Sequence, residues 1–229
     1  MKASISFLMV FGALFLTGWS SPHQIMSHLP DTIDPNEHYL FYLHGQIIET
    51  QGRRPTHPRF GVYEYDNILQ TFADSGFVVI SEARAPRTPI QPYAQKVASQ
   101  IDSLIQAGVP ASHIAVVGAS KGAAIAGFVS ILVQHPEVRY ILLAICNRRV
   151  VSLWQKNGGT FSGKLLYIYE KSDTIGKSCR PFIGHLKGRQ LTAFQEIALN
   201  TGLKHGFLYR PLPEWIIPAI HWAKTATLP

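Results

Sequence analysis

The chain has 229 residues, of which 46% are hydrophobic and 15% charged, with a formal net charge of +7. That apolar share excludes a disordered chain, and two cysteines without any repeat exclude disulfide scaffolds, collagen and coiled coils. The length suits a single α/β domain with a sizeable core. A pI near 9.5 is compatible with anionic partners, but the basic residues are dispersed and no nucleic-acid recognition motif accompanies them.

Met1-Lys2 precedes an uncharged apolar run from Ile5 to Leu16, followed by Thr17-Gly18-Trp19-Ser20. A short positive start, about a dozen apolar residues and small residues beyond them describe a secretory signal over residues 1–20. The run falls short of the ~20 apolar residues that a spanning helix needs. The expectation is an exported, periplasmic or secreted protein with no stable membrane span after cleavage, and residues 21–229 forming one domain; an uncleaved anchor is the other reading. In an oxidising compartment Cys146 and Cys179 can pair. Their separation of 33 residues would make such a bridge worth roughly 3–4 kcal/mol by loop-closure entropy.

Beyond the leader, short apolar strands alternate with longer amphipathic stretches. Strands are expected at 39–43, 77–80, 114–117, 140–145, 165–169 and 193–199, with helices over 65–75, 89–108, 120–134 and 213–224. Continuous apolar strands between helices imply a mostly parallel sheet of about six strands covered on both faces. The segment from Gln46 to Gly61, with Arg53, Arg54, His57, Arg59 and two prolines, reads as a long basic loop.

The sharpest motif is Gly118-Ala119-Ser120-Lys121-Gly122. The five residues alone are a weak signal; their place between an apolar strand and a small-residue helix is the context of a nucleophile elbow. A serine hydroxyl needs a neighbouring base to take its proton. The carboxylates between Ser120 and the C-terminal histidines are Glu137, Glu170, Asp173 and Glu196. Asp173 alone sits in a loop just past the C-terminal end of a strand, where chemistry gathers in parallel sheets. Of His185, His205 and His221, His205 lies in a glycine-flanked loop after the last strand. Ser120, Asp173 and His205 are therefore the expected triad. The loop His44-Gly45-Gln46 is placed to supply one oxyanion-binding N–H, from Gln46, and Lys121 to supply the other.

Together Leu43-His44-Gly45, the Gly118–Gly122 elbow, Asp173 and Leu203-Lys204-His205-Gly206 resemble the α/β-hydrolase superfamily, most closely small exported bacterial members with lysine after the serine. The resemblance implies a reduced α/β-hydrolase fold and hydrolysis of a small ester-like substrate, a carboxylic ester or thioester, through an acyl-enzyme. Neither metal nor cofactor is needed for that chemistry, and the cysteine and histidine spacings match no zinc motif. Only about twenty residues separate the strands at 140–145 and 165–169, which leaves no room for a lipase lid. His44, Arg53 and Arg54 are expected near the substrate, where the arginines would grip a carboxylate or phosphate. The competing reading is an exported binding protein that keeps the scaffold without the activity. The sequence leaves the oligomeric state open.

Overall fold

The structure, a computed structural model, describes residues 24–156 and 158–229, so the expected leader lies outside the described residues. The elements run β1 (Ile25–Met26), β2 (Tyr39–Leu43), α1 (Gln46–Gln51), β3 (Thr56–His57), β4 (Gly61–Val62), α2 (Tyr65–Asp74) and β5 (Val78–Ile80). They continue with α3 (Ile90–Gln106), β6 (Ile114–Ala119), α4 (Lys121–Val133), β7 (Arg139–Leu143), α5 (Arg148–Lys156) and β8 (Phe161–Glu170). The chain ends with α6 (Arg180–Leu186), β9 (Lys187–Leu199), a 3₁₀ turn at Lys204–Tyr209 and α7 (Pro213–Thr225).

Seven strands form one sheet in the order β1-β5-β2-β6-β7-β8-β9, parallel at every pairing. Six are the strands expected from the sequence; the seventh, β1, has two residues and carries no readable period. Alternation along β2 shows how the sheet is covered. Tyr39, Phe41 and Leu43 face a core shared with α3, α4 and α5, whereas Leu40 and Tyr42 face a core shared with α2 and α7. Helix α4 is buried over nine successive residues, Gly122 to Ser130, which explains a composition without a polar face. Among the described residues no helix is long and apolar enough to cross a membrane.

The segment from Gln46 to Gly61 is not the irregular loop its prolines suggest. It holds α1 and a β3–β4 hairpin, with Ile48 and Glu49 buried. Helices α5 and α6 are also additional, and α6 contains His185.

The tightest packing lies where β2 passes the start of α4. A Cβ at Gly122 would lie 1.7 Å from the Leu43 carbonyl oxygen, and one at Gly118 would lie 2.4 Å from the Gly122 oxygen. Backbone blocks both positions, so no rotamer change can relieve the overlap. Gly122→Ala is expected to destabilise the protein by about 3 kcal/mol or more in urea unfolding. Gly184→Ala, in α6 with open space around its Cβ position, is expected to change stability by less than about 1 kcal/mol.

At the opposite end of the sheet His38 stacks on His113 with ring centroids 3.9 Å apart. Burial, then the neighbouring His113, Arg139 and Lys224, push its pKa down to about 4. The unfolded chain then binds the proton more tightly than the folded one. This contribution to stability is complete above the ordinary histidine value and is lost as pH falls from about 6.5 to about 4. His38→Gln is expected to flatten that part of the pH–stability curve.

Candidate active site

Ser120 stands between β6 and α4 with φ 52° and ψ −117°, a conformation that costs an L-residue energy. It persists because the surroundings fix it. The Ser120 N–H donates to the Leu143 carbonyl at 2.9 Å, and the Ser120 carbonyl accepts from the Ala123 and Ala124 N–H groups at the start of α4. The side chain is thereby held out of the sheet at the C-terminal ends of the strands.

The structure brings Ser120, His205 and Asp173 together. Ser120 Oγ lies 3.0 Å from His205 Nε2, and His205 Nδ1 lies 2.7 Å from Asp173 Oδ2. Asp173 is buried and its Oδ1 accepts the Ile175 N–H at 2.9 Å. Burial acts to raise the Asp173 pKa, but the hydrogen bond and charge of His205 and the Ile175 and Gly176 N–H groups outweigh it, leaving the pKa below its ordinary value. The ionised carboxylate only accepts, so His205 carries its proton on Nδ1 and presents Nε2 as the acceptor for the serine hydroxyl. His205 lies in a 3₁₀ turn, not an open loop.

Two carboxylates outside the line Ser120–His205–Asp173 hold the loops that carry it. Glu170, at the end of β8, accepts from the Ser172 N–H and hydroxyl with one oxygen and from the Thr201 N–H and hydroxyl with the other. Ser172 Oγ in turn accepts the Lys204 N–H at 3.2 Å. The acid loop and the histidine turn are thus joined through one side chain. Glu196 accepts from Ser178 Oγ and from the Cys179 and Arg180 N–H groups at the start of α6. Cys179 and Cys146 are joined as a disulfide with Cα atoms 5.3 Å apart, closing the segment that contains Asp173.

Gln46 and Lys121 each begin a helix, where the first N–H groups have no carbonyl one turn back to receive them. A Cβ at Gly45 would lie 3.7 Å from Ser120 Cβ, so the two helix starts meet beside the serine. A buried ion network ties them. Glu49 of α1, its side chain fully buried, accepts from Arg84 Nε at 3.0 Å and from Lys121 Nζ at 2.6 Å. Composition and spacing gave no signal for Glu49 or Arg84, which lie in segments without a motif.

Three expected substrate contacts are corrected. His44 is buried behind the site: its Nε2 accepts the Arg84 N–H at 2.9 Å, and its Nδ1 donates to the Gly45 carbonyl at 2.8 Å. Burial, then the charge of Arg84, push its pKa down to about 3, so the ring is a neutral strut. Arg53 pairs with Asp66 and stacks on Tyr65, 4.9 Å from the ring centre. Arg53 and Arg54 line a neighbouring cleft along residues 62–67, which shares Tyr63 with the cleft over Ser120, and neither arginine lines the latter.

The cleft over Ser120 and His205 has a volume of about 380 Å³ and is walled by Ile47, Phe60, Tyr63, Ile175, Leu208 and Tyr209. The aromatic wall is built by contact: His57 stacks on Phe60 at 4.5 Å, and Tyr209 meets Phe60 at 5.4 Å and Tyr63 at 5.0 Å. Among the described residues no cluster of three or more His, Cys, Asp or Glu side chains is arranged to hold a metal ion.

No family model matches the sequence, and no curated relative does. Solved structures do match. A hyperthermophilic esterase from Pyrobaculum calidifontis is similar with TM-score 0.56 and 17% identity, over 86% of this chain and 79% of that one. The esterase domain of a Rhodothermus marinus protein matches with TM-score 0.50 and 13% identity, over 82% and 83% of the two chains. A Lactococcus lactis protein described as a sugar hydrolase matches with TM-score 0.51 and 11% identity, over 87% and 89%. At these identities the likeness concerns architecture alone, and with the parallel sheet and its helical layers it shows that the chain has the α/β-hydrolase fold.

Proposed function

We propose that the protein is a serine hydrolase that cleaves a small carboxylic ester or thioester through an acyl-enzyme. The observation that carries this reading is the continuous hydrogen-bonded line from Ser120 through His205 to a buried, ionised Asp173, opening on an apolar cleft. The supporting fold likeness is to esterases among others.

In the reaction, Ser120 Oγ attacks the substrate carbonyl carbon while His205 Nε2 takes its proton. Asp173 stabilises the resulting imidazolium and keeps the ring from turning. The carbonyl oxygen becomes an oxyanion, which the Gln46 and Lys121 N–H groups receive; one such donor is worth about 10²–10³ in rate. The imidazolium then protonates the departing alkoxide or thiolate as the tetrahedral centre collapses. Water attacks the acyl-serine with His205 again as base, the acid leaves, and the proton returns to Ser120. The cleft volume of about 380 Å³ fits a short acyl or aromatic group better than a long fatty chain. Among the described residues the one helix or strand between β7 and β8 is the nine-residue α5.

We also infer export, supported by the apolar leader and by a disulfide that an oxidising compartment would maintain.

A fluorophosphonate probe is expected to label wild-type protein and not Ser120→Ala; folded wild type that stays unlabelled would contradict the proposal. Asp173→Asn is expected to lower kcat by about 10⁴ with little change in KM, as removal of a triad carboxylate does. Glu49→Gln leaves Arg84 and Lys121 facing a neutral group. It is expected to cost about 3–5 kcal/mol of stability and to lower kcat more than the milder Lys121→Met, because it frees both oxyanion-donating helix starts. Thiol titration of the unfolded, unreduced protein is expected to find no reactive cysteine.

A further inference from the structure

A second cleft, of about 300 Å³, adjoins the active-site cleft. The two share Phe60 as a wall, and the 3₁₀ turn carrying His205 separates them: Lys204 and Gly206, on either side of the histidine, line the second cleft. Its charged lining is Arg59, Lys204 and Arg210, and no carboxylate lines it. Among the described residues none of these three cations forms an ion pair, whereas Arg53, Lys96, Lys164 and Arg180 each have an acidic partner. Three like charges around one small concavity repel each other unless an anion sits between them.

The cleft is also constructed with some care. A Cβ at Gly206 would lie 2.7 Å from Phe60, so the aromatic ring packs directly on the backbone of the turn beside His205. Lys204 takes a left-handed backbone conformation, φ 53°, held by its N–H bond to Ser172 Oγ. Non-glycine residues in that region concentrate where a side chain is held for use.

Resting on the reading of Ser120 as the nucleophile of an ester hydrolase, we propose that this cleft is an anion subsite, and that the substrate is an ester whose far end carries a carboxylate or phosphate. The arginines offer paired N–H donors to such a group, and Lys204 a point charge. The reacting ester lies over Ser120, an apolar or aromatic spacer lies along Phe60, and the anion lies among Arg59, Lys204 and Arg210. The arginines expected from the sequence to hold an anion, Arg53 and Arg54, are replaced in this role by the residues that border the histidine turn.

The test compares p-nitrophenyl hemiglutarate with its neutral counterpart, p-nitrophenyl pentanoate. Wild type is expected to favour the anionic ester about tenfold in kcat/KM, mainly through KM, and to lose most of that preference in about 0.5 M NaCl. The Arg59→Gln/Arg210→Gln double variant is expected to reduce the preference while leaving the neutral ester's kinetics unchanged. That neutral control also reports correct folding. Equal rates on both esters in wild type, or equal losses on both in the double variant, would overturn the subsite. Stronger inhibition of hemiglutarate hydrolysis by inorganic phosphate than by glutarate assigns a phosphate, and the reverse a carboxylate. If Ser120 takes no fluorophosphonate and neither ester is cleaved, the hydrolase reading fails separately. Calorimetric titration of wild type and double variant with inorganic phosphate and with glutarate then decides the subsite: binding that the double variant loses sustains it, and no binding of either anion to wild type ends it.

Discussion

A single backbone constraint organises the site: the turn at Ser120. A serine at φ 52° and ψ −117° costs on the order of 1–3 kcal/mol, which the fold offsets by over-determining the turn. The strand before it is fully buried, its N–H is bonded to β7, and the helix after it presses against the β2 carbonyls at a glycine. The same geometry does three things. It lifts the hydroxyl above the sheet edge, leaves the first N–H groups of α4 without a carbonyl one turn back, and draws β2 close enough to bring the start of α1 alongside.

Around that turn the structure uses buried carboxylates as joints. Glu49 links α1, the Arg84 segment and Lys121; Glu170 links the acid loop to the histidine turn; Glu196 links β9 to the start of α6. Each of these carboxylates accepts two or more donors, the condition under which burying a charge is tolerated. Loops at the ends of parallel strands have no ladder to order them. Side-chain bonds and the disulfide supply what the backbone cannot.

Much of this was legible in the sequence. Six of the seven strands are apolar runs too short for helices, and the fold class follows from their alternation with amphipathic stretches. Ser120, Asp173 and His205, which the structure joins by hydrogen bonds, stood out because each follows a strand's C-terminal end, in an order that limits the choice. What could not be read has physical reasons. Helix α1 has six residues, two of them isoleucine, and no period can be extracted from so short a span. The role of Glu49 depends on residues 35 and 72 positions away, which no local pattern encodes. His44 looked available because it follows a strand, yet a buried acceptor for the Arg84 N–H leaves no mark in sequence. The placement of Arg53 and Arg54 was not legible either, because α1 and the β3–β4 hairpin stand where the prolines suggested an irregular loop.

The most direct measurement is an acid-quenched, pre-steady-state reaction of the wild-type protein with p-nitrophenyl acetate, followed by mass analysis of its peptides. Because the activated nitrophenyl ester makes acylation faster than deacylation, covalent catalysis at the constrained turn is expected to give a burst of nitrophenolate approaching about one equivalent per protein, with the acetyl group on the peptide containing Ser120. Acetyl groups scattered over lysines, or hydrolysis that proceeds with Ser120 unmodified at every quench time, would contradict a nucleophilic serine.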